Sequence, residues 1–141
     1  MKITLEKQDG KFHYVATGTN GTEVQIDGSP AIGGEDKGAR PMEMLLMALG
    51  GCSCIDIGVI LERQRQTLEG MSVDIEGERV SGKEPSLFDK IHVTFHAKGD
   101  LDEKKLNRAV SLSMEKYCSV AMTLEKTAEI TYSITLNGEA L

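Results

Sequence analysis

The sequence predicts an α+β fold with mainly antiparallel sheet, and three observations carry that prediction. Short stretches near both ends alternate apolar with polar residues, the period of half-buried strands. One long apolar segment fills the middle, and an amphipathic helical repeat separates the later strands. Strands and helices follow one another in runs rather than in strict alternation, which favours α+β over a parallel α/β sheet. At 141 residues the chain is read as a single domain, 1–141.

The strand region spans 1–27, with strands over 1–8, 11–17 and 22–27. Asp9-Gly10 and Asn20-Gly21 are hairpin turn signals between them. Residues 28–40 form a loop rich in glycine and charge. Its glycine spacing fits neither a Walker A loop nor a dinucleotide fingerprint, so phosphate binding is set aside. A central helix is predicted over 41–66, with Pro41 at its first position and Glu43 in its first turn. From Met42 to Leu61 it is apolar on nearly every face, which predicts a core helix covered on more than one side. Glu43, Asp56 and the Gly50-Gly51 pair argue against a membrane span. The glycine pair implies either close approach of another backbone or a kink. Strands follow within 71–97, then a helix over 101–117 whose buried stripe is Leu106, Ala109, Val110, Ser113 and Met114. A short helix, 119–126, and a closing strand, 128–136, complete the chain.

Composition narrows the function. Sixteen Lys and Arg against 22 Asp and Glu leave a net charge of −6. Phosphate backbones and anionic membranes need clustered cations, so neither nucleic acid nor membrane is an expected partner. The N-terminal residues alternate like a strand and lack the apolar core of a signal peptide, which predicts a cytoplasmic protein. Three cysteines, Cys52, Cys54 and Cys118, suit a reducing compartment rather than a disulfide scaffold.

Those cysteines are the candidate chemistry. Cys52 adjoins the glycine pair, where a substrate could reach sulfur without steric cover. Cys118 falls at a helix junction, where free N–H groups and the helix dipole favour a thiolate. Cys54 sits about 200° around the helix from Cys52, so the two sulfurs face apart and a local metal or thioredoxin-type motif is discounted. His92 and His96 share a strand face and are expected to be exposed rather than to bind metal. Asp56, at i+4 from Cys52, lies on the same face, where its charge repels a thiolate.

The run Pro41-Met42-Glu43-Met44-Leu45-Leu46-Met47-Ala48-Leu49-Gly50-Gly51-Cys52, with Lys116-Tyr117-Cys118-Ser119-Val120 far downstream, resembles the OsmC/Ohr family. The likeness covers essentially the whole chain. It implies an intertwined homodimer, with long central helices wrapped by sheets. It also implies thiol-dependent reduction of organic hydroperoxides in oxidative-stress defence, with Cys52 attacking and Cys118 resolving the sulfenic acid as a disulfide. The implied reductant is a dithiol, possible in lipoyl form, and no cofactor or metal is implied. Three departures align the chain with the OsmC-like branch. Met42 stands where the peroxidases carry Glu, Ser119 follows Cys118 where Pro is common, and no arginine precedes Arg40. Arg40 and Glu43 are therefore the candidate activating residues. A dimeric, non-enzymatic small-molecule binding module and a redox sensor are the alternative functions.

Overall fold

The computed structural model describes residues 1–141 and divides into two compact units, Met1–Leu45 and Leu46–Leu141. In the first unit, β1 (Thr4–Lys7), β2 (Tyr14–Thr17) and β3 (Glu23–Ile26) form an antiparallel meander in sequence order. Its turns place Gly10 and Gly21 at φ 73° and 80°, the left-handed region that glycine reaches without penalty. Each strand is shorter than its alternating pattern, because the residues flanking the turns leave the ladder.

The loop after β3 is tightly built. It makes one 3₁₀ turn, Pro30–Ile32, and returns to pair Ile26 with Ala39. Asp27, 2% exposed, anchors it by accepting N–H bonds from Gly28, Glu35 and Lys37 at 2.7, 3.0 and 3.1 Å. A Cβ on Gly34 would lie 1.8 Å from the Gly28 carbonyl oxygen, so the two backbones touch there and only glycine fits.

The long helix α1 is Pro41–Arg63. Glu43 accepts the Arg40 N–H at 3.0 Å, closing the N-terminus in the manner of a capping box. The helix stops short of residue 66. Gln66 N–H bonds Leu61 O at 2.9 Å, Arg65 N–H bonds Glu62 O at 2.9 Å, and Arg65 adopts φ 57°. That is a Schellman stop with arginine in the place glycine normally holds.

In the second unit β4 (Gly70–Arg79) pairs antiparallel with β5 (Phe88–Lys98). β6 (Glu129–Leu136) runs parallel to β5, and β7 (Glu139–Ala140) closes the edge antiparallel to β6. The one parallel pair requires a crossover, supplied by α2 (Glu103–Leu112), a π-turn (Ser113–Tyr117) and α3 (Ser119–Leu124). The helix predicted over 101–117 is thus two pieces, α2 and a wider turn. Asp102 caps α2 by accepting the Lys105 N–H at 2.9 Å, and the predicted stripe from Leu106 to Met114 is largely buried. Along β5, Ile91, Val93, Phe95 and Ala97 point into the core while His92, Thr94 and His96 face out, the period-2 alternation of a one-sided sheet.

α1 departs from the expectation of cover on more than one side. Leu49, Ser53, Ile57 and Leu61, spaced by four, are buried with Gly50. On another face Met47 and Ile55 are 60% and 69% exposed, with Val59 also open. By length and composition α1 could cross a membrane, with a mean hydropathy of 2.1 over 18 residues, but it carries Asp56 and a buried core stripe. At Gly50 the close neighbour is a side chain rather than a backbone. A Cβ there would meet Ile75 Cδ1 at 2.8 Å, whereas Gly51 faces open space.

Candidate functional site

Cys52 and Asp56 stand one turn apart on α1, as i and i+4 residues must. Cys118 reaches them from the crossover. Cys52 Sγ, Cys118 Sγ and an Asp56 carboxylate oxygen all lie within 4.8 Å of one another. Cys52 and Asp56 are half-buried and Cys118 is fully buried. All three cysteines are free thiols.

The π-turn delivers Cys118. Its N–H bonds Ser113 O at 2.8 Å, an i to i−5 bond that holds one residue more than an α-turn. The next helix starts at once: Ala121 N–H points to Cys118 Sγ at 3.4 Å, so sulfur serves as the N-cap acceptor of α3. The dipole argument predicts an acidified thiol, and the structure reverses it. Burial pushes the Cys118 thiol up to about 11, helped by the contact with Cys52 and only partly offset by the Ala121 and Val120 N–H groups. Cys118 is a protonated thiol at neutral pH.

Two buried serines frame the pair. Ser53 Oγ donates within α1 to Leu49 O at 2.8 Å. Ser113 Oγ lies 3.4 Å from both Ser53 O and Asp56 Oδ2, a long contact from the crossover to α1. Ser113 is buried, as its place in the α2 stripe predicts, and its hydroxyl is the one polar group that stripe brings to α1. Asp56, which in the sequence argues against a membrane span and against a thiolate at Cys52, is the third corner of the cluster.

The remaining candidates lie elsewhere. Burial raises the thiol of Cys54, which belongs to no such cluster. Arg40 spends its guanidinium on Asp36 at 2.6 Å and Glu43 at 3.3 Å, while Glu43 caps α1. His92 and His96 do share one face of β5, half-buried rather than exposed. His92 bonds Thr131 and Ser133 across to β6, and His96 bonds Thr135 and Asp74. These are satisfied cross-strand contacts, and Asp74 becomes a partner only because β4 pairs with β5 in this register.

The sequence profile of the OsmC-like protein family matches residues 34–133. The chain belongs to the OsmC-like family. It is 42% identical to protein YhfA of Escherichia coli K12 over 121 residues, 85% of this chain and 87% of that one. Its fold matches the crystal structure of a hypothetical protein from Aquifex aeolicus VF5 with a TM-score of 0.79 and 30% identity, over 96% of both chains. It also matches an organic hydroperoxide resistance protein OsmC of Legionella pneumophila, with a TM-score of 0.72 and 16% identity over 95% of each.

Proposed function

We propose that this OsmC-like protein reduces organic hydroperoxides with Cys52 as attacking sulfur and Cys118 as resolving thiol. The observation that carries the proposal is the pairing of a half-buried and a fully buried thiol within 4.8 Å. The accessible sulfur, Cys52, meets the substrate. The Cys52 thiolate takes the terminal oxygen of the hydroperoxide, the O–O bond breaks, and the alkoxide leaves as alcohol with one proton. The product is a sulfenic acid on Cys52. Cys118 then gives up its proton and attacks Cys52 Sγ, water leaves, and a disulfide forms before further oxidation occurs. A dithiol, such as a lipoyl group, exchanges with that disulfide and restores both thiols. The organic hydroperoxide resistance protein of like fold from Legionella pneumophila supports this substrate class. The pairing of Arg40 with Asp36 and Glu43 supports a capping role for Arg40 and Glu43 rather than activation of sulfur.

The exposed stripe of Met47, Ile55 and Val59 supports a homodimer in which a second copy covers α1. Light scattering across dilution tests this, and a monodisperse species of 15.3 kDa overturns it. Three free thiols suit residence in the reducing cytosol.

One equivalent of cumene hydroperoxide added to the reduced protein is expected to form a Cys52–Cys118 disulfide, located by peptide mapping. Cys52→Ser abolishes peroxide consumption in a folded protein, because the hydroxyl is a far weaker nucleophile. Cys118→Ser permits the first oxidation and leaves a sulfenic acid that excess peroxide carries to sulfinic acid. A wild type that gains no disulfide and consumes no peroxide with any dithiol overturns the reading.

A further inference from the structure

We propose that the reduced protein binds one zinc ion through Cys52 Sγ, Cys118 Sγ and an Asp56 carboxylate oxygen, leaving the fourth position open to solvent. The inference needs the two thiols reduced and together; it does not require that they reduce peroxide. A tetrahedral zinc site has Zn–S bonds of about 2.3 Å, which sets its sulfurs roughly 3.8 Å apart. The three ligand atoms already lie within 4.8 Å of one another, so side-chain rotation of about an ångström closes the triangle. Cys52 and Asp56 come from one helix face at i and i+4, the spacing by which a helix presents two ligands to one ion. Cys118 comes from the separate crossover, held by its own N–H bond to Ser113 O at 2.8 Å.

The donor set selects the metal. Two thiolates exclude magnesium and calcium, which take oxygen ligands, and the carboxylate adds affinity for zinc that copper(I) would not gain. Ser113 Oγ, 3.4 Å from Asp56 Oδ2, is the outer partner that orients the carboxylate. Half-burial of Cys52 provides access for the ion and for a water in the fourth position. Binding displaces two protons, one from each thiol, to the buffer. The same two sulfurs make either the zinc site or the disulfide, never both. An organic hydroperoxide or an azo oxidant takes two electrons from the bound thiolates and two protons from water, the S–S bond forms as both Zn–S bonds break, and zinc returns to solution. The cluster is thus a zinc site that oxidation empties.

The test uses the full-length reduced protein with zinc sulfate, anaerobically, against a chromogenic zinc chelator. One zinc per chain is expected. Cys54→Ala retains it; Cys52→Ser and Cys118→Ser lose it. Asp56→Asn weakens it at least tenfold, and Ser113→Ala by about tenfold. Cobalt(II) gives a readout on the unmutated protein: intense tetrahedral visible bands with sulfur-to-cobalt charge transfer. Diamide, an azo compound that oxidises dithiols directly, releases one zinc per disulfide formed. Zinc binding that survives Cys118→Ser, or that Asp56→Asn leaves at full affinity, in a folded protein overturns the assignment, as does octahedral cobalt or no binding. Disulfide formation with hydroperoxide in a protein that binds no zinc refutes this inference alone. Zinc binding without peroxide consumption refutes the peroxidase reading alone.

Discussion

Asp27 and Asp56 are both carboxylates drawn away from solvent, and their surroundings could hardly differ more. Asp27 is buried among N–H groups from Gly28, Glu35 and Lys37, all within 3.1 Å. Burial would raise its carboxyl, but the three N–H bonds outweigh that and hold it below the ordinary carboxylate range. Asp56 receives one long contact, 3.4 Å from Ser113, and otherwise faces two sulfurs. A carboxylate whose acceptor sites are filled by backbone is a structural pin. One left with open lone pairs beside two thiols is available for chemistry. The glycine-rich loop shows the same logic: its N–H groups can cradle an anion, and that anion is Asp27 of the chain itself.

The comparison breaks most visibly at the loop. Gly34→Ala sets a methyl group 1.8 Å from the Gly28 oxygen and is expected to cost about 4 kcal/mol or more. Denaturant melts check this, and a loss under about 1 kcal/mol would mean the loop is not tightly built. Asp27→Ala comes next. The amides of Gly28, Glu35 and Lys37 should lose protection from hydrogen exchange by about tenfold or more, since three donors lose their acceptor. Asp56→Asn, by contrast, should change stability by under about 1 kcal/mol while altering the sulfurs. Removing its charge relieves repulsion of the Cys52 thiolate, so alkylation by iodoacetamide in a Cys54→Ala background should speed several-fold. Equal destabilisation by Asp27→Asn and Asp56→Asn would erase the distinction.

The smallest effect is a titration in the first unit. Asp9, bonded first to Lys37 and then to His13, has its carboxyl held down to about 2. Its contribution to stability is complete above the ordinary value near 3.8 and is lost as pH falls toward 2. His13 is raised by Asp9 and Gln25, so its contribution is present below 6.5 and fades as pH climbs through the folded value. Asp9 is 70% exposed and its pairing is screened by solvent, so its NMR shift should move with little change in melting, while the half-buried His13 titrates alongside it.

Much of the fold was legible because periodicity and turn chemistry agree locally. The alternation in β5 and the stripe of α2 come from one-sided burial, which leaves a pattern in any chain that folds this way. Three features were not legible. The end of α1 is set by Arg65 at positive φ, where a glycine would have announced the stop. The parallel pairing of β5 with β6 depends on a crossover path that strand composition does not encode. At the site, Cys52 and Cys118 were visible from motif and spacing. The acidity of Cys118 was misjudged because the local N–H groups are written in sequence, whereas the burial that outweighs them is created by tertiary packing.

The π-turn before Cys118 has a bearing on how such a protein can change over generations. It accommodates one residue more than an α-turn would. Removing a single codon within Ser113–Tyr117 would narrow that turn to an α-turn and leave α2 and the segment after the turn close to their present places. The wide turn is thus a place where a change of chain length is absorbed locally. The crossover can gain or lose one residue there with Cys52 and Cys118 still side by side.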